Sequence, residues 1–365
     1  MFDVKETLFQ SFLSLVRVGI GHDCAVLQES MSWDNLQALA DRQGLSAIVL
    51  DGLDRLVREG RMPEGWNINV EFQRTWIGSM IQYESRYERY RHAISTLAGF
   101  YASHGLKMMV LKGYACSLDW PIPSHRPSGD IDIWQFGEYQ KGDVVLESEL
   151  GVKVDNSHHH HTVFHWKGFM VENHYDFINV HHHRSSALME RTFKELGRDD
   201  SYSVEVEGER VYIPSPNLHA LFLLRHALSH FASTEITLRQ LLDWGFHVKA
   251  HGKEVDWDWL AGVLEEYGMT DIFRIFNAIC IEDLGFEVGI FPEGEYDKAL
   301  KDRVLADILS PEFNEEEPSC LIPRVAFKFR RWRSNGWKHR LCYKESMWSA
   351  FWSGVWNHLL KPSSV

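Results

Sequence analysis

The 365-residue chain has only five cysteines, and they form no pattern. Cys24, Cys116, Cys280, Cys320 and Cys342 are odd in number, scattered in spacing and without a C-x-x-C pair. That excludes a disulfide scaffold and reads as reduced thiols of a cytoplasmic protein. Long apolar runs are also missing. The best candidate, around residues 220–228, is broken by Arg225 and His226, well short of the ~18–20 residues of a membrane span. Met1–Glu6 lacks the basic start and apolar run of a secretory leader, which again points to the cytoplasm. There is no G-x-x-x-x-G-K-[ST], no glycine-rich dinucleotide fingerprint and no G-x-S-x-G. P-loop phosphoryl transfer and a serine-elbow hydrolase are therefore disfavoured. No repeat of fixed period is present.

What remains is the balance of a globular protein, 44% hydrophobic and 24% charged. The net charge of −13 makes a general nucleic-acid binder unlikely in physical terms, since phosphate affinity comes mainly from Lys and Arg. That average hides an asymmetry. From Leu321 onward there are nine Lys or Arg and one acid, Glu345, so the rest of the chain is more acidic still.

The order along the chain predicts an α+β protein: a small mixed sheet flanked by helical regions. Residues 1–103 read as helical, with Leu8, Phe12, Leu15 and Val16 on one face and a long proline-free helix from about Val70 to Ser103. Residues 104–215 change character. Leu106–Leu111 reads as a strand running into Lys112-Gly113 and a helix from Tyr114 to about Asp119. Gly129–Trp134 alternates like a strand, and Glu138–Leu150 reads as a helix. Hairpins are expected around Lys167-Gly168 and Gly208. Residues 216–320 return to helix, with Pro216 at the entry and Asn217 as a cap. Residues 321–365 form the basic, Trp-rich tail.

Asp130 and Asp132 are the most informative pair. At i and i+2 of a strand they share a face, while Ile131 and Ile133 point to the other. Adjacent carboxylates repel unless a cation lies between them, and hard oxygen ligands on a rigid strand suit Mg²⁺ or Mn²⁺. Seventeen residues earlier, Lys112-Gly113 ends a strand and opens a helix, a place where backbone can approach a phosphate. Glu172 lies in a later strand and offers a third carboxylate, with His174 on the same face.

These segments together resemble the polymerase-β-like nucleotidyltransferase superfamily. Val110-Leu111-Lys112-Gly113, Arg126-Pro127-Ser128-Gly129-Asp130-Ile131-Asp132 and Val171-Glu172-Asn173-His174 are most similar to its poorly characterised bacterial family with LKG, RxxGDID and VExH motifs. Leu238–Trp244 fits the family's downstream L-R-x-x-x-D element, and the resemblance spans about residues 35–300. It implies an enzyme that uses Mg²⁺ (or Mn²⁺) to transfer a nucleoside monophosphate from an NTP donor to a hydroxyl acceptor, which is a small molecule, sugar or protein. Asp130, Asp132 and Glu172 would be catalytic metal ligands. Lys112, Gly113 and Arg126 would contact phosphates, and His174, Arg239 and Asp243 would line the substrate cleft. Tyr114 departs from the pattern, standing where the superfamily usually has Gly or Ser. The competing readings are an inactive binding protein that keeps the fold, and a scaffold acting at a membrane surface through the tail.

Other features stay open. His158–His161 and His181–His183 read as polar loop edges that could line the site. His226 and His230, and Arg239 and Asp243, are each i, i+4 on a helix; packing, and a simple ion pair, are the plain readings. In the tail, cations interleave with aromatics, and Trp348, Trp352 and Trp356 make a helical stripe. The plain reading is a terminal helix packing that stripe on the body. A peripheral membrane or protein contact is the sharper one.

Overall fold

The structure, a computed structural model, describes residues 4–23, 27, 32–64, 66, 70–181, 183–350 and 352. Cys24, His182 and Trp356 lie outside them. Three helices come first: α1 (Val4–Gly19), α2 (Trp33–Gln43) and α3 (Ser46–Arg58). Ser32 caps α2 by accepting from the Asn35 N–H, and Gly44 closes it in the left-handed region at φ 66°. α1 and α3 approach backbone to backbone. A Cβ on Gly52 would lie 2.3 Å from the Leu15 carbonyl oxygen, so no larger residue fits that crossing. α4 (Val70–Ser103) follows over the range its sequence predicts.

The central segment runs β1 (Met109–Val110), α5 (Tyr114–Ser117), a 3-10 turn at Pro123–His125, β2 (Ile131–Trp134), α6 (Tyr139–Leu150), β3 (His161–Trp166), β4 (Phe169–His174), α7 (Arg184–Leu196), β5 (Ser203–Val206) and β6 (Glu209–Tyr212). Both expected hairpins are present. Each turns on two residues of positive φ, Lys167-Gly168 and Glu207-Gly208, as tight hairpin turns require. The strands form one six-stranded mixed sheet of order β3-β4-β2-β1-β6-β5. β2 runs antiparallel to β1 and parallel to β4. The rest is helical: α8 (Pro216–Ser233), α9 (Leu238–His251), α10 (Trp257–Tyr267), α11 (Thr270–Glu282), α12 (Lys298–Leu309), α13 (Leu321–Ser334) and α14 (Gly336–Cys342). No helix among the described residues is long and apolar enough to cross a membrane.

Two apolar clusters hold the fold together. Tyr90, Ile94, Leu97 and Tyr101 of α4 pack on one face of the sheet, against Val110, Ile131, Ile133 and Val171. The other cluster joins α1–α3 to α8–α12 and includes Trp134 and Phe177. So α4 belongs with the sheet, whereas the helices before it pack with those of the second half.

Four local expectations need correction. The strand expected over Leu106–Leu111 pairs only at Met109–Val110. The helix after Gly113 is a single turn, ending at Ser117, because the chain must turn toward the Pro-rich loop. Asn217 does not cap α8. Ser215 occupies that position, and the Asn217 Oδ1 instead accepts from the Asp256 N–H. The described members of the Trp stripe are not buried on the body: Trp348 and Trp352 are 58% and 64% exposed, and Trp348 meets Trp332 edge-on at 5.2 Å. The tail's cations do meet acids, as expected: Arg324 with Glu317, Arg330 with Glu315 and Lys338 with Asp307.

Candidate active site

β2 sits at the middle of the sheet, and its parallel register with β4 sets Asp132 beside Glu172 and Trp134 beside His174. Alternation sends Ile131 and Ile133 into the α4 core and Asp132 to the opposite face. There His174 Nε2 lies 3.2 Å from Asp132 Oδ1 and 3.5 Å from Glu172 Oε2. Its Nδ1 lies 3.1 Å from the Asp176 carbonyl oxygen. A carbonyl only accepts, so the Nδ1–H donates to it and the ring is held in place. Lys112 Nζ reaches Asp132 Oδ1 at 2.9 Å.

These charges set one another. Burial alone would raise Asp132, but the Lys112 charge and the His174 hydrogen bond hold it far below the usual carboxylate range. Burial would lower His174, but its bonds to Asp132 and Glu172 push it up to about 9. Lys112 and a charged His174 thus supply the neutralising cations that a lone carboxylate pair would lack. One atom is left over. Asp132 Oδ2 is buried and has no hydrogen-bond partner.

Asp132, Glu172 and His174 each offer a ligand atom, all within 4.8 Å of one another. Asp130, one residue ahead of β2, lies outside that compact set but lines both neighbouring cavities. Burial and the Asp132 charge push its pKa up. The histidine run also converges here. His161 Nδ1 is 3.7 Å from Glu172 Oε2. Burial, with His174 nearby, lowers His160 and His161 to about 3.

Two cavities meet at Lys112, Asp130 and His226. The smaller, about 120 Å³, is bounded by Gly113, Arg126, Arg239 and Asp243. Arg126 is not free there. It forms a two-point pair with Asp243 at 2.7 and 2.8 Å, and Trp120 Nε1 adds a bond to the same carboxylate at 2.9 Å. Asp243 therefore pairs across the fold instead of with Arg239 one turn away on α9, whose Nε is buried without a partner. Gly113 has φ 58°, and a Cβ would stand 2.3 Å from Tyr90 Oη. Tyr90 in turn donates to the Asp130 carbonyl oxygen at 2.8 Å. Tyr114 points away from the cavities into the α4 core, stacked on Tyr87.

The larger cavity is about 840 Å³ and mostly apolar. Phe177 and Ile178 line it from the sheet side and His226 and His230 from α8, their Nε2 atoms 3.2 Å apart. Its far wall is the basic tail: Val325, Lys328, Phe329 and Trp332 of α13, with Tyr343 beyond. Sequence reading missed this wall and Arg225, which is buried on α8 and also lines the cavity. Only a charge pattern marked the tail, and charge does not say what a helix faces.

A mixed sheet with paired carboxylates on adjacent central strands is what the nucleotidyltransferase resemblance implied. The family model of uncharacterised nucleotidyltransferases matches residues 29–282, and the chain belongs to that family. A crystal structure of an antigenic nucleotidyltransferase-like protein from Paracoccidioides brasiliensis is similar over 54% of this chain and 93% of that one. It has 14% identity and a TM-score of 0.34, too distant to bear on the site. No curated protein matches the chain.

Proposed function

We propose that the protein is a metal-dependent nucleotidyltransferase that moves a nucleoside monophosphate from an NTP to a hydroxyl acceptor. The observation that carries this reading is the in-register Asp132–Glu172 pair with its unpartnered, buried Asp132 Oδ2. A buried carboxylate oxygen without a donor is costly, and a cation would satisfy it. The two carboxylates suit a divalent ion, Mg²⁺ or Mn²⁺, and His174 Nε2 could join them once its proton is displaced. When bound, that ion would neutralise phosphate charge and orient the displacement at the α-phosphate.

The chain's own residues have separable tasks. Lys112 balances Asp132 and lines both cavities, which suits it to phosphate oxygens. Arg239 faces the small cavity, which has room for phosphates but not for a nucleoside. Since α5 is a single turn, its dipole adds little, and these side chains carry phosphate recognition. Arg126 and Asp243 brace the loop before β2. Glu172 stands where it can accept the acceptor hydroxyl's proton. The large cavity takes the nucleoside and acceptor.

Calorimetric titration with Mg²⁺ or Mn²⁺ and each of the four NTPs tests this reading. Metal-dependent binding, lost when Asp130→Ala and Asp132→Ala are combined, is expected. No binding by any NTP sinks it and favours an inactive relative. A second reading concerns the tail. Val325, Phe329, Trp348 and Trp352 are exposed amid cations, the composition of an interfacial helix. Anionic vesicles should retain the protein and release it when residues 321–365 are deleted; retention by the shortened chain would defeat that role.

A further inference from the structure

A second group of metal-ligating side chains lies away from the paired carboxylates. It is formed by Asp119, just after α5, His219 of α8 and His247 of α9, whose ligand atoms all lie within 4.8 Å of one another. The two rings are 5% and 1% exposed. None of the nucleotidyltransferase roles above uses them.

The hydrogen bonds explain why these groups are a site and not an ordinary polar patch. His247 Nε2 lies 3.2 Å from the Pro216 carbonyl oxygen, which can only accept, so that nitrogen carries the proton. With that proton on Nε2, Nδ1 is the ring atom left to take a ligand. It is buried with no hydrogen-bond partner, and it faces Asp119 Oδ2 at 3.7 Å. A lone pair opposed to a carboxylate oxygen is repulsive unless something positive lies between. Two ligands of one tetrahedral ion with bonds of ~2.0–2.2 Å stand ~3.4 Å apart, close to this spacing. The other Asp119 oxygen is already tied: Oδ1 is 3.2 Å from His251 Nε2, and His251 Nδ1 is 2.9 Å from Glu254. An outer hydrogen bond on each ligand, orienting its free atom inward, is the usual support of a metal site. His219 is buried, with its ligand atom in the same compact group. Cys116 Sγ lies 3.6 Å from its Nε2.

We propose that Asp119, His219 and His247 bind a structural Zn²⁺ ion. The donor chemistry, two imidazoles and one carboxylate in a buried setting, favours Zn²⁺ over Mg²⁺. Its role follows from its position. It fastens the segment just after Lys112-Gly113 to the two helices that carry His226 and Arg239, and so holds together the walls of the small cavity.

The test must separate this ion from metal at the paired carboxylates and the histidine run. The variant Asp132→Asn, Glu172→Gln, His160→Gln, His161→Gln removes four of those five ligands and leaves His174 alone, too few to hold an ion tightly. After dialysis against a mild chelator and titration with Zn²⁺ against a chromophoric competitor, it should still bind one equivalent. Adding His219→Gln and His247→Gln should reduce that to none. Should the fourfold variant fail to fold, His247→Gln in the otherwise unchanged protein should lower the Zn²⁺ count by one, with loss of the accompanying rise in Tm. No tight Zn²⁺ in the unaltered protein overturns the proposal, as does an undiminished count in the histidine variants. Neither readout involves nucleotide, so the result stands apart from the fate of the nucleotidyltransferase reading.

Discussion

Two buried carboxylate–histidine groups in this protein solve the same electrostatic problem differently. Asp132, Glu172 and His174 lie beside a lysine of the chain, and His174 is charged. Asp119, His219 and His247 have no lysine or arginine among their ion-pair partners, and the charged imidazole of His251 sits on the outer oxygen of Asp119. On the proposed readings, the first group carries a cation of the chain that substrate displaces, and the second takes its cation from solution. A site that turns over would then keep an exchangeable counter-charge, whereas a permanent fastening would not.

The largest contrast should appear in activity. Asp132→Asn is expected to lower turnover on the order of 10²–10³-fold or more in a steady-state nucleotidyl-transfer assay, while Asp119→Asn should lower thermal stability and leave more of the activity. Equal losses of turnover in both would erase the distinction. Lys112→Met should weaken NTP binding yet strengthen Mn²⁺ binding in the absence of nucleotide, because the resident counter-charge is gone. Weaker Mn²⁺ binding would mean that Lys112 is not that counter-charge.

Asp243→Ala bears on the boundary between the groups. It strands the buried Arg126 and should cost about 3–5 kcal/mol in urea unfolding, as removal of one partner of a buried pair does. A smaller step is expected from Gly113→Ala. Positive φ and the Tyr90 contact predict about 1–3 kcal/mol, partly recovered when Tyr90→Phe removes the clashing oxygen.

His125 provides a control, a histidine–carboxylate group with no ligand cluster. It lies 2.6 Å from Asp51 and 3.3 Å from Glu84. Burial would lower its pKa, but these acids raise it above 6.5. The folded protein therefore holds this proton more tightly than the unfolded chain. The resulting stability is full below pH 6.5 and is lost as pH rises through the folded pKa. Urea midpoints measured across that window should decline, and His125→Gln should flatten the decline.

The meeting of Asp132, Glu172 and His174 was partly legible, because a strand imposes a two-residue period and E-x-H declares a shared face, whereas Asp130 precedes β2 and lies outside the compact group. Glycine and proline punctuation made both hairpins and the entry to α8 readable for the same local reason. Long-range pairings were not legible. Asp243 and Arg239 satisfy the helical spacing, yet a buried arginine from a distant loop competes better for the carboxylate. Asp119, His219 and His247 come from three separate segments, and no spacing rule joins them. The tail's charge was visible, but its partner surface depends on how α8 is placed.

The α13 wall lies beyond the residues that match the family, which end at 282. The carboxylates, Lys112 and Arg239 fall inside the matched stretch, while Lys328, Phe329 and Trp332 fall outside it. The family match thus covers the carboxylate side of the cleft and stops short of the helix that walls its other side. On the proposed reading, exchange of that one terminal helix would change what the cleft admits and leave Asp132, Glu172 and Lys112 untouched.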